Sequence, residues 1–236
     1  MDLEPISYQA SRRPYAGFLA DGSGGAAAPG VLVIHEGGGL TAHAKGRAAM
    51  LAEQFGAVAF AMDLFGVPAA AGLDDVARLR AIVQDLRADV AELRARCGAA
   101  LAVLQGHRHV DPARLAAVGY CFGGAAAIEL ARSGAPLAAL AGFHAGVLPG
   151  DDAAIRAKLL LCHGEADPVV PAAQIQTFVD GLTAAGVDWQ LHLYGGVGHS
   201  FTNPEIDAWN LPGFAYDATA DARSWAALRQ LLGEVF

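Results

Sequence analysis

The chain has 236 residues, 54% of them hydrophobic, and carries 16 Lys and Arg against 24 Asp and Glu, a formal charge of −8. That acidic balance, with no local basic cluster, argues against nucleic acid as a partner. The apolar runs 31–34 and 159–162 have strand length, short of the ~20 residues of a membrane helix, so no membrane partner is expected.

The opening Met1-Asp2-Leu3-Glu4 lacks the basic-then-apolar layout of a signal peptide. Three cysteines without paired spacing do not make a disulfide framework. A cytoplasmic, reducing location is the expectation. Strand and helix alternate almost throughout, which predicts an α/β fold with a mainly parallel central sheet flanked by helices on both faces. Residues 6–10 and 15–20 read as a short hairpin, followed by a flexible tract over 21–30. Val31 to His35 is a buried strand running into Glu36-Gly37-Gly38-Gly39. A helix over 41–55 leads to a strand over 57–62, and apolar spacing from Asp74 to about Leu104 predicts one long helix, continuous or broken. Strands follow at 115–118, 137–143, 158–163 and 189–194, with helices at 124–132, 172–185 and 218–232. With no repeat or linker, a single domain over 1–236 is expected.

The sequence is most informative at Gly119-Tyr120-Cys121-Phe122-Gly123-Gly124, between a strand and an Ala-rich helix. Small-x-nucleophile-x-small at such a junction is the elbow pattern, here with cysteine. Glycines on either side let strand and helix approach closely, and the helix N-terminus directs partial positive charge at the sulfur. The competing reading is a glycine-rich turn holding an inert, buried cysteine.

A cysteine nucleophile needs a base and a group to orient that base. The turn after the strand 158–163 offers Glu165 and Asp167, with Asp167 preferred for its Asp-Pro-x-x-Pro context; an Asx-turn is its alternative role. The glycine-rich loop after 189–194 offers His199, otherwise a solvated loop histidine. Nucleophile, acid and histidine thus follow in hydrolase order at the carboxyl ends of strands. Glu36 is expected beside the thiol, where it could block the sulfur or accept its proton; the alternative is an exposed acid capping the helix from Thr41. A carboxylate there opposes the helix dipole, so a neutral resting thiol is the expectation. The N–H groups of Phe122 and Gly37 are the expected oxyanion donors. The remaining histidines are scattered and offer no metal-ligand spacing; His107 and His109 read as solvated, and His144 as structural or pocket-lining. No metal or cofactor is expected.

These segments, together with Met62-Asp63-Leu64-Phe65-Gly66, His163-Gly164-Glu165-Ala166-Asp167 and Gly198-His199-Ser200-Phe201, resemble the dienelactone hydrolase family of α/β-hydrolases over nearly the whole chain. The resemblance implies an α/β-hydrolase fold and a cofactor-free carboxylic-ester hydrolase of the carboxymethylenebutenolidase type. It implies Cys121 as nucleophile, His199 as base, Asp167 as orienting acid and Glu36 as the switch for the thiol proton. The substrate would be a small lactone or ester, opened through an acyl-cysteine, and the protein a monomer or small homo-oligomer. One position departs from the family: its substrate-holding arginine, four residues after the histidine, is Asn203 here. An asparagine brings no charge and no guanidinium fork, so Arg78 or Arg80 become the candidates for a substrate carboxylate. Phe65, Phe201, Trp209 and Phe214 are candidate pocket walls, or ordinary core. Rival readings are an acyltransferase on the same fold and a non-catalytic binding or redox-sensing module using Cys121.

Overall fold

The computed structural model describes residues 1–66 and 76–236. Eight strands form one sheet in the order β1-β2-β4-β3-β5-β6-β7-β8. The strands are β1 (Glu4–Ala10), β2 (Arg13–Asp21), β3 (Ala28–Ile34), β4 (Val58–Met62), β5 (Val110–Tyr120), β6 (Ala139–Phe143), β7 (Lys158–Gly164) and β8 (Trp189–Tyr194). β1 and β2 make an antiparallel edge, and every pairing from β4 to β8 is parallel. The expected α/β layering holds, with an α/β-hydrolase fold.

The helices are α1 (Ala42–Phe55), α2 (Val76–Ala88), α3 (Val90–Gln105), α4 (Phe122–Arg132), α5 (Ala172–Ala184) and α6 (Ala218–Val235). Side-chain alternation on the strands divides two cores. In β3, Leu32 and Ile34 face the layer of α2 to α5, while Val31 and Val33 face α1 and α6.

Two sequence expectations are refined and one element is added. The helix expected over 74–104 is two, because Asp89 stops α2 and its carboxylate accepts from Glu92 N–H to cap α3; its expected start at Asp74 lies outside the described residues. The tract expected to be flexible over 21–30 includes Ala28 to Gly30, which pair with β5 across a register shift. A short 3-10 helix at Pro204–Trp209, capped by Asn203, had no periodic apolar signal to announce it.

The junction of β5 and α4 positions the rest. A Cβ added at Gly119 would lie 2.2 Å from Gly123 O, and one at Gly123 would lie 2.3 Å from Ile34 O. The glycines let α4 sit directly on β3 and β5, so this close approach is a packing requirement. Behind it, Arg132 donates to Asp152, Glu129 and Leu148 O, anchoring the segment after β6 to α4.

Gly123→Ala should therefore force backbone apart and cost about 1–3 kcal/mol, seen as a Tm lower by roughly 3–10 °C. Gly98→Ala on α3, where an added Cβ meets nothing within 4 Å, should leave Tm unchanged or raise it, by up to ~1 kcal/mol. Equal Tm shifts for the two variants in thermal melts would contradict the packing argument.

Candidate active site

Cys121 stands between β5 and α4 with φ 52° and ψ −117°, backbone that a non-glycine residue adopts only when the surroundings impose it. Here its N–H donates to Phe143 O (3.0 Å), and its carbonyl accepts from Gly124 N–H (3.0 Å) and Gly146 N–H (2.9 Å). The half-buried side chain lines a cavity of about 840 Å³ at the carboxyl ends of the strands. Phe122 and Gly37 line the same cavity. Phe122 opens α4, whose first N–H groups have no acceptor within the helix, as an oxyanion site requires.

His199 also lines the cavity and is fully buried. Its Nδ1–H donates to Asp167 Oδ2 at 2.6 Å. The other carboxylate oxygen of Asp167 accepts from Val169 N–H (2.7 Å) and Val170 N–H (3.1 Å). The Asx-turn and the histidine contact are thus one arrangement: the turn holds Oδ1 and leaves Oδ2 for the ring. Glu165, the rival acid, is exposed and accepts from Gly196 N–H. Burial opposes a charge on His199, yet Cys121 and Asp167 outweigh it and raise the ring above its usual range. Asp167 is also desolvated, but His199 and the two N–H groups hold its carboxyl below the ordinary value.

Glu36 is buried against the cavity rather than exposed, and the N-cap position of α1 is held by Thr41, which makes no side-chain cap hydrogen bond. Its Oε2 accepts from Asn203 Nδ2 at 2.5 Å. Burial raises the Glu36 carboxyl, against hydrogen bonds from Ser200 and Asn203. His35 fixes the backbone here: Leu64 N–H donates to its Nε2, so its Nδ1–H donates to Glu36 O.

Of the candidate substrate contacts, Arg80 lines the cavity; Arg78 is exposed and outside its lining. Leu79, Arg80, Val83, Gln84 and Arg87 form the cavity face of α2, a stripe the helical spacing could have shown for Gln84 and Arg87. Asn203 reaches the cavity, but both amide atoms are engaged, Nδ2 with Glu36 and Oδ1 with Glu205 N–H. Phe201 is a correction: it is fully buried outside the cavity, against Tyr194 and His144, past a left-handed turn at Ser200 (φ 57°). Phe65 likewise belongs to the core, packed on His35 and Phe122, while Trp209 and Phe214 do line the cavity. His144 is wholly buried outside the lining. His107 and His109 are not simply solvated: with Asp21 they place three ligand-type atoms within 4.8 Å of one another. That group bonds to itself and to Ser23, and Arg108 donates to His109.

Burial holds four histidines neutral: His35, His43 (pushed down to about 3, with help from Arg47), His144 and His163. The unfolded chain protonates them below about pH 6.5, so stability should fall as pH drops through that value. His199 is charged in both states there and adds no slope, and Glu36, raised when folded, works in the opposite sense by up to one proton. The four histidines outnumber the one opposing carboxyl, so the net slope keeps the histidine sign. Urea unfolding between about pH 5 and 6.5 checks this; a flat profile there contradicts the burial assignment.

Among the described residues no helix is long and apolar enough to cross a membrane. The profile of the dienelactone hydrolase family matches residues 16–236. A crystal structure described as a dienelactone hydrolase-like promiscuous phosphotriesterase from metagenomic libraries is 39% identical, covering 100% of this chain and 98% of its own, with a TM-score of 0.93. A second structure, named m3DLH, is 42% identical with a TM-score of 0.92, covering 100% of this chain and 98% of its own. An uncharacterized protein of Caenorhabditis elegans is 31% identical over 150 residues, which is 61% of this chain and 95% of that protein. The chain belongs to the dienelactone hydrolase family and is a dienelactone hydrolase-like hydrolase.

Proposed function

We propose that this protein is a cysteine-dependent hydrolase of small esters or lactones, one domain over 1–236, acting through an acyl-cysteine with Cys121, His199 and Asp167 as triad and Glu36 as proton switch. The observation that carries it is the fully buried His199–Asp167 pair at 2.6 Å, with the ring on the same cavity as a backbone-strained Cys121.

The chemistry follows from what each group can do. Glu36 takes the thiol proton, and the sulfur keeps the electron pair beside the His199 imidazolium. The thiolate attacks the carbonyl carbon, and the N–H groups of Phe122 and Gly37 receive the oxyanion. As the C–O bond breaks, His199 gives its proton to the departing alkoxide. The neutral ring then takes a proton from water, whose oxygen attacks the thioester; collapse releases the acid and returns the thiolate, with the proton back on His199. In a lactone, alkoxide and acid are two ends of one product.

The cavity walls support small, partly apolar substrates, with Arg80 available to an anionic group. The name of the 39%-identical structure adds a second substrate class, phosphotriesters, in which the same sulfur would attack phosphorus. An acyltransferase would share the thioester and differ only in the acceptor; a redox sensor would need neither His199 nor Asp167.

With p-nitrophenyl acetate and a dienelactone, Cys121→Ala should reduce turnover to the uncatalysed background, and His199→Ala should lower kcat/KM by about 10²–10⁴. Turnover by Cys121→Ala equal to wild type removes the sulfur from the mechanism. Absence of any ester or triester turnover, with reversible peroxide oxidation at Cys121, would favour the sensor instead. Arg80→Gln should raise KM about tenfold for a carboxylate-bearing ester, the effect of losing ~1.4 kcal/mol of charge-assisted binding. It should leave KM for neutral p-nitrophenyl acetate unchanged; equal effects on both esters would contradict the role given to Arg80.

A further inference from the structure

Glu36 is backed by a buried chain of polar groups that the triad does not use. Arg47 of α1 donates from Nε to His43 Nε2 (3.3 Å), and from Nη2 to Thr202 O (2.6 Å) and Asp221 Oδ1 (2.7 Å). A guanidinium only donates, so His43 Nε2 is a lone pair and its proton sits on Nδ1. Thr202 Oγ1 lies 3.3 Å from that lone pair and 2.8 Å from His144 Nε2. Given to His43, alongside the Arg47 donor, its single hydrogen keeps the lone pairs of Oγ1 and His43 Nε2 from facing each other. Thr202 then accepts from His144 Nε2–H, which leaves His144 Nδ1 as a bare acceptor.

That nitrogen has no hydrogen-bond partner, and neither does Glu36 Oε1, 3.9 Å away; both atoms are buried. The two oxygens of Glu36 are therefore unlike. Oε2 accepts from Asn203 and faces His43 Nδ1–H at 3.8 Å, whereas Oε1 faces an acceptor. Donors on one oxygen and an acceptor on the other is the polarity of a carboxylic acid. The nearest cations, Arg47 and His199, each pair with another carboxylate, Asp221 and Asp167, and both also favour the charged form of Glu36 against its burial. The other titratable neighbours are His35, whose ring bonds the Glu36 carbonyl, Tyr120 of β5, and Cys121 on the shared cavity.

We propose that His144 is a positioning residue that keeps Glu36 as a carboxylic acid in the resting enzyme, its proton on Oε1 and donated to His144 Nδ1. This rests on the reading that Glu36 receives the thiol proton, and it says where that proton is stored. The S–H bond breaks, an O–H bond forms at Oε1, and the electron pair stays on sulfur. A closing shift of about 1 Å brings Oε1 and Nδ1 to hydrogen-bond length. His144 touches neither substrate nor sulfur; it acts through Glu36.

The test is difference infrared spectroscopy of the full chain against Glu36→Gln near neutral pH, with the pH dependence of Cys121 alkylation by iodoacetamide. The wild type should show the C=O stretch of a protonated carboxylic acid, shifted in D2O and absent from Glu36→Gln. His144→Leu should shift that band to higher frequency, as for an acid O–H that has lost its acceptor, and slow alkylation about tenfold just below neutral pH. His144→Asn, whose amide oxygen can occupy the Nδ1 position, should restore both. If His144→Leu does not fold, Thr202→Val replaces it: with nothing holding the proton on Nε2, the acid band should weaken. Carboxylate bands for Glu36 in the wild type, or an unchanged acid band in a folded His144→Leu or Thr202→Val, overturns the inference. Failure of the underlying reading looks different: Cys121 would resist alkylation, or Glu36→Gln would leave its pH profile unmoved.

Discussion

The whole site depends on a backbone that cannot relax at Cys121. A left-handed conformation at a non-glycine residue costs on the order of 1–3 kcal/mol and persists only when its surroundings over-determine it. Here they do so from three sides: Phe143 O and the N–H groups of Gly124 and Gly146 bond the turn, while Gly119 and Gly123 let α4 press against β3 and β5. The strain turns the side chain out of the sheet plane and into the cavity. Cys97 and Cys162, by contrast, are buried, and burial pushes their thiols up to about 12.

Around that fixed point, each group's charge is decided by whether its contacts outweigh its burial. His199 is kept cationic by partners it touches, and Asp167 is kept anionic by donors that fill its oxygens. Beside His199 in space, His144 is as deeply buried and is held neutral, first by that burial and then by the neighbouring histidines and Arg47. The same residue type thus takes opposite charge states within a ring separation of 5.3 Å. Glu36 lies at the boundary between these two environments, which suits a group that exchanges a proton with one side and stores it on the other.

The cavity combines a rigid floor with a helix-built wall. Glu36, Cys121 and His199 come from strand ends held by the sheet, whereas Arg80, Gln84 and Arg87 project from α2. Under the proposed mechanism, such a division separates bond-breaking chemistry, which needs sub-ångström placement, from substrate selection, which a helix face can vary. Asn203 illustrates the difference: in this chain its amide serves the floor, tying Glu36 to the 3-10 helix through Glu205.

Much of this was legible in the sequence wherever a local rule decides the outcome. Strand and helix periods are local, so the layering and the order of elements followed from them; the elbow glycines and the Asx-turn at Asp167 are local too, and each marked its catalytic candidate. What only the tertiary structure decided is direction and company. Phe201 and Phe214 are alike as residues, yet one fills the core and the other walls the cavity, because a loop's side-chain directions follow from the packing around it. Arg78 and Arg80 are two residues apart on one helix, and the rotation of α2 against the sheet brings only Arg80 to the cavity. Least visible was the chain from Arg47 through His43 and Thr202 to His144, whose members span positions 43 to 202. No spacing links them: their protons are fixed by burial and by a guanidinium that can only donate, and both exist only once the chain has closed on itself.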